Sequence, residues 1–238
     1  MSDYDVIGKF YDDIMGDQKE AAKQVHSLIK KSFPKAQTIL ELGCGTGSYL
    51  KYLSKYYETA GIDSSSVMLS IAREKLPHTE LFQASMLEVK PEWKFDVVIC
   101  MNDTINHLTK ISEVKRLFSN TLEHLTKKGI FIFDINTEHK LRSLAETPPI
   151  VHQFGENYFI TNVSRAGKDI YEWDLRIFEH ISDHTYNLHE ELMYERSYSV
   201  AQIKDYLDKK FKNIRVVDLN SKKISTDSKR LHFICTRM

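Results

Sequence analysis

An α/β fold is predicted: a doubly wound, mostly parallel seven-stranded sheet that carries an antiparallel β insertion. Three observations predict it. Phe95-Asp96-Val97-Val98-Ile99-Cys100-Met101 and Ile130-Phe131-Ile132-Phe133 are nearly continuous apolar runs, as expected of parallel strands covered on both faces. From Thr38 to Asp134, short apolar strands alternate with stretches of helical periodicity, the βαβ pattern of a doubly wound sheet. After Pro148-Pro149 the period becomes two, with Tyr171, Trp173, Leu175 and Ile177 alternating with Glu172, Asp174 and Arg176.

In chain order, residues 1–36 read as helix broken at Gly16-Asp17. Ala21, Val25, Leu28 and Ile29 then recur at helical spacing until Pro34 ends the run. Thr38–Leu42 is a strand that enters a glycine cluster, and residues 48–56 form the helix after it. Thr59–Ile62 is a second strand ending at Asp63, followed by a helix over 64–76 with Ser64 or Ser65 as its N-cap. Glu80–Gln83 is a third strand and the run from Phe95 a fourth. A helix over 111–125, ended by Lys127-Lys128-Gly129, leads to a fifth strand at Ile130–Asp134. Residues 150–197 form the antiparallel layer, with turns at 166–169 and 182–185. A helix over 199–211 and strands at 214–219 and 231–236 close the sheet, so the chain reads as one domain.

Lys plus Arg and Asp plus Glu each number 33, so formal charge is zero, which discourages a nucleic-acid or anionic-membrane partner. The apolar runs are too short to span a bilayer, and the first residues lack the pattern of a signal peptide. A cytoplasmic monomer or homodimer is expected. Cys44, Cys100 and Cys235 are odd in number and form no C-x-x-C pair, so neither a disulfide framework nor a metal site is expected.

Gly43-Cys44-Gly45-Thr46-Gly47 follows a strand and opens a helix. Glycines there let backbone approach a ligand, and the helix start offers N–H groups to an anionic one. The spacing is G-x-G-x-G, not the dinucleotide G-x-G-x-x-G, because Ser48 holds the sixth position. Asp63, 20 residues after Gly43 at the next strand end, can accept both hydroxyls of a ribose.

Glu41-Leu42-Gly43-Cys44-Gly45-Thr46-Gly47 resembles the first motif of class I S-adenosylmethionine methyltransferases, and Gly61-Ile62-Asp63 resembles the second. Phe95-Asp96-Val97-Val98-Ile99 resembles the fourth-strand motif and Lys128-Gly129-Ile130-Phe131-Ile132-Phe133 the fifth. The resemblance covers most of residues 1–140 and implies a Rossmann-like methyltransferase sheet, S-adenosylmethionine as cofactor and S-adenosylhomocysteine as product. It places Asp63 on the ribose, Glu41 near the cofactor's amino group, Met68 or Ile62 on the adenine face and Ser85-Met86 at the adenine edge. Tyr11, Gly43, Cys44, Gly45, Gly47, Ser64, Met101 and Asn102 complete the implied cofactor-binding set. Relatives usually carry Asp where this chain has Ser85, a weaker acceptor for an adenine amino group. Cys44 reads as a space-filler rather than a nucleophile, and Met68 reads equally as core.

On the acceptor side, Asn102–Leu108 follows the fourth strand, which makes His107 the best-placed base for a nitrogen acceptor. Asp3-Tyr4, Phe10-Tyr11-Asp12-Asp13, Ala72-Arg73-Glu74-Lys75-Leu76-Pro77 and the insert resemble amino-sugar N-methyltransferases of the tylosin and desosamine type. That resemblance implies Tyr4 and His107 as the catalytic residues at a sugar amine. It divides the chain into a helical lid (1–36), a cofactor-binding core (37–146), an insert over the acceptor site (147–197) and a closing unit (198–238). The Asn/Asp-Pro-Pro-aromatic motif and the Pro-Cys pair of nucleic-acid methyltransferases are absent. Asp134 and Asn136 resemble metal ligands of catechol-type O-methyltransferases, but no further ligands accompany them. His189-Glu190-Glu191 would point to alternate strand faces and reads as solvated charge. Tyr158, Tyr171, Trp173 and Tyr194 read as sheet core or as an acceptor pocket. The expected activity is methyl transfer to a small-molecule acceptor, with an amino group, as on an amino sugar, leading. The alternatives are an O-methyltransferase of a small metabolite, a nucleotide-dependent oxidoreductase and a non-catalytic S-adenosylmethionine-binding module.

Overall fold

β1 (Thr38–Leu42), β2 (Glu58–Asp63), β3 (Glu80–Gln83), β4 (Phe95–Cys100), β5 (Leu125–Asn136), β10 (Phe211–Val217) and β11 (Arg230–Arg237) form one sheet. Their order is β10-β11-β5-β4-β1-β2-β3. The structure, a computed structural model, describes residues 7–88, 94–221 and 223–238. Strands β3, β2, β1, β4 and β5 run parallel, while β11 is antiparallel to both β5 and β10. The strand order reverses between β1 and β4. In open α/β sheets a crevice for ligands opens there, at the carboxyl ends of the strands.

Both faces of the sheet are covered because alternate residues of each strand are apolar. Leu40, Val98, Phe131 and Phe133 pack with Val114, Leu117 and Phe118 of α5 (Ile111–His124) and with Ile203 and Leu207 of α7 (Val200–Leu207). Ile39, Val97, Ile99, Ile130 and Ile132 face the other way, onto Val25, Leu28 and Ile29 of α2 (Lys19–Ser32) and Leu53 of α3 (Leu50–Leu53). The central strands β4 and β5 are therefore apolar on both faces over Val97–Cys100 and Ile130–Phe133, as their runs predict. Cys44, Cys100 and Cys235 are free thiols, all buried.

Four places differ from the sequence expectation. The helix after the glycine cluster is a single turn, α3, because residues 54–56 leave the helix as turns. The helix over 199–211 ends at Leu207, since Phe211 already pairs in β10. Lys127-Lys128-Gly129 lies inside β5 rather than capping a helix. Phe95 pairs with Leu125 and Val97 with Ile130, so the extra residues bulge out with both lysines exposed. A helix absent from the sequence reading, α6 (Glu138–Ala145), follows β5 and is capped by the Thr137 hydroxyl, which accepts from Lys140 N–H at 3.2 Å.

The insert is a second sheet of β6 (Ile150–Phe154), β7 (Asn157–Arg165), β8 (Ile170–Ser182) and β9 (Thr185–Arg196), with β6 and β9 at its edges. Its inner face, including Leu175, Ile177 and Met193, packs on Ile7 and Phe10 next to α1 (Tyr11–Met15). His189 and Glu191 share that face. Glu190 points away and meets Arg176, as strand alternation requires.

Candidate active site

The glycine loop is built to leave one peptide open. Gly43 and Cys44 both donate to Ile62 O, at 2.8 and 3.0 Å, which ties the loop to the end of β2. Gly47 has φ +76°, and a Cβ there would sit 2.5 Å from Leu76 Cδ1, so packing as well as backbone geometry requires glycine. Gly45 has φ +53° with nothing within 4 Å of a Cβ position, and its N–H donates to Asp63 Oδ2 at 2.8 Å. The other carboxylate oxygen accepts from Ser65 N–H at 2.9 Å. Ser65 also caps α4 (Ser66–Lys75) by accepting from Met68 N–H at 3.1 Å. Asp63 is thus aimed by two backbone donors before any ligand arrives.

A cavity of about 420 Å³ opens at this point, within the range of small-molecule sites. Of the residues singled out in the sequence, Tyr11, Gly43, Gly45, Asp63, Ser64, Met68, Ser85, Met86, Asn102 and His107 line it. Ile62 does too, so both candidates for an adenine face are on the wall. Glu41, Cys44, Gly47 and Met101 do not line it. Cys44 packs with Leu50, Leu69 and Leu76 behind the loop, and Met101 lies in the core beside α2. Tyr4 lies outside the described residues. Ser85 Oγ accepts from Leu87 N–H at 3.2 Å, so the hydroxyl is fixed at the cavity edge.

Glu41 is 2% exposed, and its Oε2 has no hydrogen-bond partner among the described residues. Burial, and then the charges of Asp63 and Asp134, push its carboxyl well above the usual carboxylate range. A buried acid with an orphaned oxygen, two residues before Gly43, suits an ammonium group of a ligand. Gly45 likewise leaves open space that a ligand can fill. The residues present therefore fit S-adenosylmethionine, with its ribose, ammonium group and adenine.

Beyond β4 the backbone is strained. Asn102 and Asp103 are consecutive non-glycine residues in the left-handed region, with φ 56° and 53°. Such residues cost on the order of 1–3 kcal/mol each, so the surroundings must hold them. Asp103 N–H donates to Asp134 Oδ1 at 2.7 Å, Asn136 Nδ2 donates to Asp103 Oδ2 at 2.7 Å, and Arg230 donates to Asp103 Oδ1. Tyr49 OH donates to Asn102 Oδ1 at 3.1 Å, and the same side chain hydrogen-bonds Tyr11. The turn continues as one 3₁₀ segment, Thr104–His107, whose Asn106 is locked to β5 and β9 through Asn136 and Arg196. His107 reaches the cavity wall from there.

Asp134 and Asn136 thus serve as hydrogen-bonding partners of that turn. No group of three or more His, Cys, Asp or Glu residues able to hold a metal occurs among the described residues. Glu195, on the inner face of the insert, joins the network by accepting from Asn136 Nδ2 at 2.9 Å. Burial, and then the charge of Asp103, push its carboxyl well above the usual range. The partners Asp103, Glu195 and Arg230 were missed in the sequence. Only the polar residues at the ends of apolar strands hinted at them.

The amino-terminal segment crosses over the loop. Asp12 accepts from Thr46 Oγ1 at 2.6 Å and Ser48 Oγ at 3.2 Å, and pairs with Lys75. Lys9 Nζ reaches Glu179 of the insert at 2.8 Å, and Ile7 N–H donates to Glu191 at 3.3 Å. One short segment therefore touches both the glycine loop and the insert.

Residues 39–129 match the family model described as a methyltransferase domain. Among curated proteins, the chain is 28% identical to one from Geobacillus sp. (strain WCH70) that is provisionally named a methyltransferase, over 98% of this chain and 99% of that one. It is 30% identical to the dTDP-3-amino-3,4,6-trideoxy-alpha-D-glucopyranose N,N-dimethyltransferase of Streptomyces venezuelae, over 55% of each chain. Among solved structures, an S-adenosylmethionine-dependent methyltransferase from Clostridium acetobutylicum ATCC 824 superposes with TM-score 0.86 at 24% identity, covering 98% of both chains. Streptomyces venezuelae DesVI superposes with TM-score 0.82 at 20% identity, again over 98% of both. Residues 39–129 thus carry the similarity to a methyltransferase domain, and the chain as a whole shares the fold of a solved S-adenosylmethionine-dependent methyltransferase.

Proposed function

We propose that this enzyme methylates an amino group of a small molecule, an amino sugar being the leading class, with His107 as the general base. The observation that carries this reading is that one cavity wall holds both Asp63, pre-aimed by two backbone N–H groups, and His107. The match of over half the chain to an amino-sugar N,N-dimethyltransferase supports an amine rather than a hydroxyl as acceptor. When bound, S-adenosylmethionine supplies an electrophilic methyl group on a sulfonium.

The rest of the chemistry is assigned to this chain's residues. Asp63 accepts from the ribose hydroxyls, and Glu41 receives the ammonium group, giving up its proton as it does so. The open Gly45 peptide permits close approach. Ser85 and Met86 border the adenine, with Ile62 and Met68 as its apolar neighbours. An ammonium acceptor has no lone pair, so His107 takes a proton at its imidazole before transfer. The insert and the amino-terminal segment exclude water from the reacting groups.

Calorimetry tests the cofactor assignment. Wild-type protein is expected to bind S-adenosylhomocysteine, and Asp63→Ala to weaken that binding roughly ten- to a hundredfold, the loss expected when hydrogen bonds to a charged group disappear. Binding of NADH without S-adenosylhomocysteine would overturn it. For the acceptor, incubation with S-adenosylmethionine and a metabolite extract, read by mass spectrometry, is expected to yield a product heavier by one or two methyl groups on nitrogen. With that product in hand, His107→Ala should lower kcat about a hundredfold or more near neutral pH, the usual contribution of a general base. An unchanged kcat at every pH would remove His107 from that role.

A further inference from the structure

Arg230 lies on β11, 127 residues from Asp103, outside the matched domain and off the cavity wall. Its guanidinium spans two carboxylates: Nη1 donates to Asp134 Oδ2 at 2.7 Å, and Nη2 donates to Asp103 Oδ1 and, at 3.3 Å, to Asn136 Oδ1. The group is largely buried, and Asp134 is 1% exposed. Two strands position it. β11 pairs with β5 so that Arg230 faces Asn136 and His232 faces Asp134, which brings the fork to the end of the strand that bears both polar residues.

Asp103 is where this fork meets the site. It is the second of the two left-handed residues, its carbonyl accepts from Asn106 N–H at 2.7 Å, and the turn it opens delivers His107. Asn102, just before it, is itself on the cavity wall. A backbone held in a sparsely populated region persists only if something over-determines it. Here the carboxylate of Asp103 has two side-chain donors, Arg230 and Asn136, and Asn136 is in turn contacted by Arg230 and, at 2.7 Å, by Lys140 Nζ.

We propose that Arg230 is a positioning residue: by bridging Asp103 and Asp134 it holds the Asn102–Asp103 turn, and with it His107, in place on the cavity wall. A planar fork is needed because the two carboxylates belong to different elements, and a lysine ammonium, a point charge on a flexible stem, cannot fix both. Lys140 remains nearby as a second cation, so removing Arg230 leaves Asp103 with part of its charge compensation while loosening the geometry of the bridge. The inference rests on the proposed use of the cavity for S-adenosylmethionine.

The test is calorimetric binding of S-adenosylhomocysteine to wild type, Arg230→Lys and Arg230→Ala, with melting temperature and circular dichroism recorded for each. Arg230→Lys keeps the charge, and its circular dichroism checks the fold. Both variants are expected to bind roughly tenfold more weakly, the scale set by releasing one strained residue. Millimolar guanidinium chloride is expected to restore part of the affinity of Arg230→Ala, while sodium chloride at the same ionic strength does not. Wild-type affinity in Arg230→Lys with only a lower melting temperature would make the bridge merely structural and overturn the inference, as would equal recovery with both salts. Failure of the wild type to bind at all would instead overturn the cofactor assignment, so the two failures are separable.

Discussion

At the scale of a residue, Glu41 is an acid kept in the wrong environment for its charge. Its carboxyl lies above the usual range in the folded protein because burial penalises the ionised form and Asp63 and Asp134 are nearby. An acid raised in this way contributes stability that is full below its unfolded value and is lost as pH rises through its folded one. Glu41→Gln should therefore leave melting unchanged near pH 4 and raise the melting temperature of the ligand-free protein near pH 8, by about 1–3 kcal/mol of stability. The same substitution should weaken S-adenosylhomocysteine binding and abolish the proton release that calorimetry in two buffers would register for wild type. The grouping of Glu41, Asp63 and Gly45 at the strand ends was legible because each position follows from its distance along the chain to a strand end. Arg230 was not, since its partners are set by the register of β11 against β5, and nothing local announces it.

At the scale of an element, the segment from Ile7 through α1 behaves as a strap, fastened at one end by Asp12 to Thr46, Ser48 and Lys75 and at the other to the insert. Burial would raise the Asp12 carboxyl, but Lys75 and the two hydroxyls outweigh it and hold it below the usual range. That fastening is present above the ordinary carboxylate range and is lost as pH falls through the depressed value. Asp12→Ala should cost about 1 kcal/mol, as partly exposed ion pairs and hydroxyl bonds do, while mostly loosening the strap itself. Limited proteolysis should show faster cleavage before α2 (residues 7–18), with little change in global melting. Sequence periodicity located α2, α4 and α5 well, because each has a clear apolar stripe. It overran α3 and α7, whose last residues are claimed by turns and by β10 pairing, and it passed over α6, whose single buried apolar residue is Leu141. The bulge in β5 was illegible for a similar reason: Lys-Lys-Gly ends helices and decorates bulges alike.

At the scale of the whole molecule, two sheets meet through one polar network. Glu195 of β9 faces Asn136 of β5, with Asp103, Lys140 and Arg230 around them. Asp103 is opposed by burial yet held below the usual range by Arg230 and Lys140, whereas Glu195 is pushed above it. The two acids therefore give opposite pH dependences. Asp103 costs stability as pH falls below the carboxylate range, and Glu195 costs it as pH rises toward its own elevated value. Glu195→Gln should raise the melting temperature on the alkaline side and leave the acid side unchanged. An additive gain with Glu41→Gln would show that the two acids act independently. The architecture was legible from texture alone, since continuous apolar runs give covered parallel strands and period two gives the insert. The joint between the sheets was not, because it pairs residues of distant elements.

The three buried thiols of this otherwise unbridged chain amount to a set of internal reporters. Burial raises all three above the usual cysteine range, so the native protein should resist alkylation. Cys44 sits behind the glycine loop, Cys100 in central β4 and Cys235 in β11. Each can react only when its own neighbourhood opens, so three labelling rates would read out three local unfolding equilibria in a single unmodified molecule. Slowing of Cys44 alone on addition of ligand would then mark the loop as the part of the fold that binding quietens.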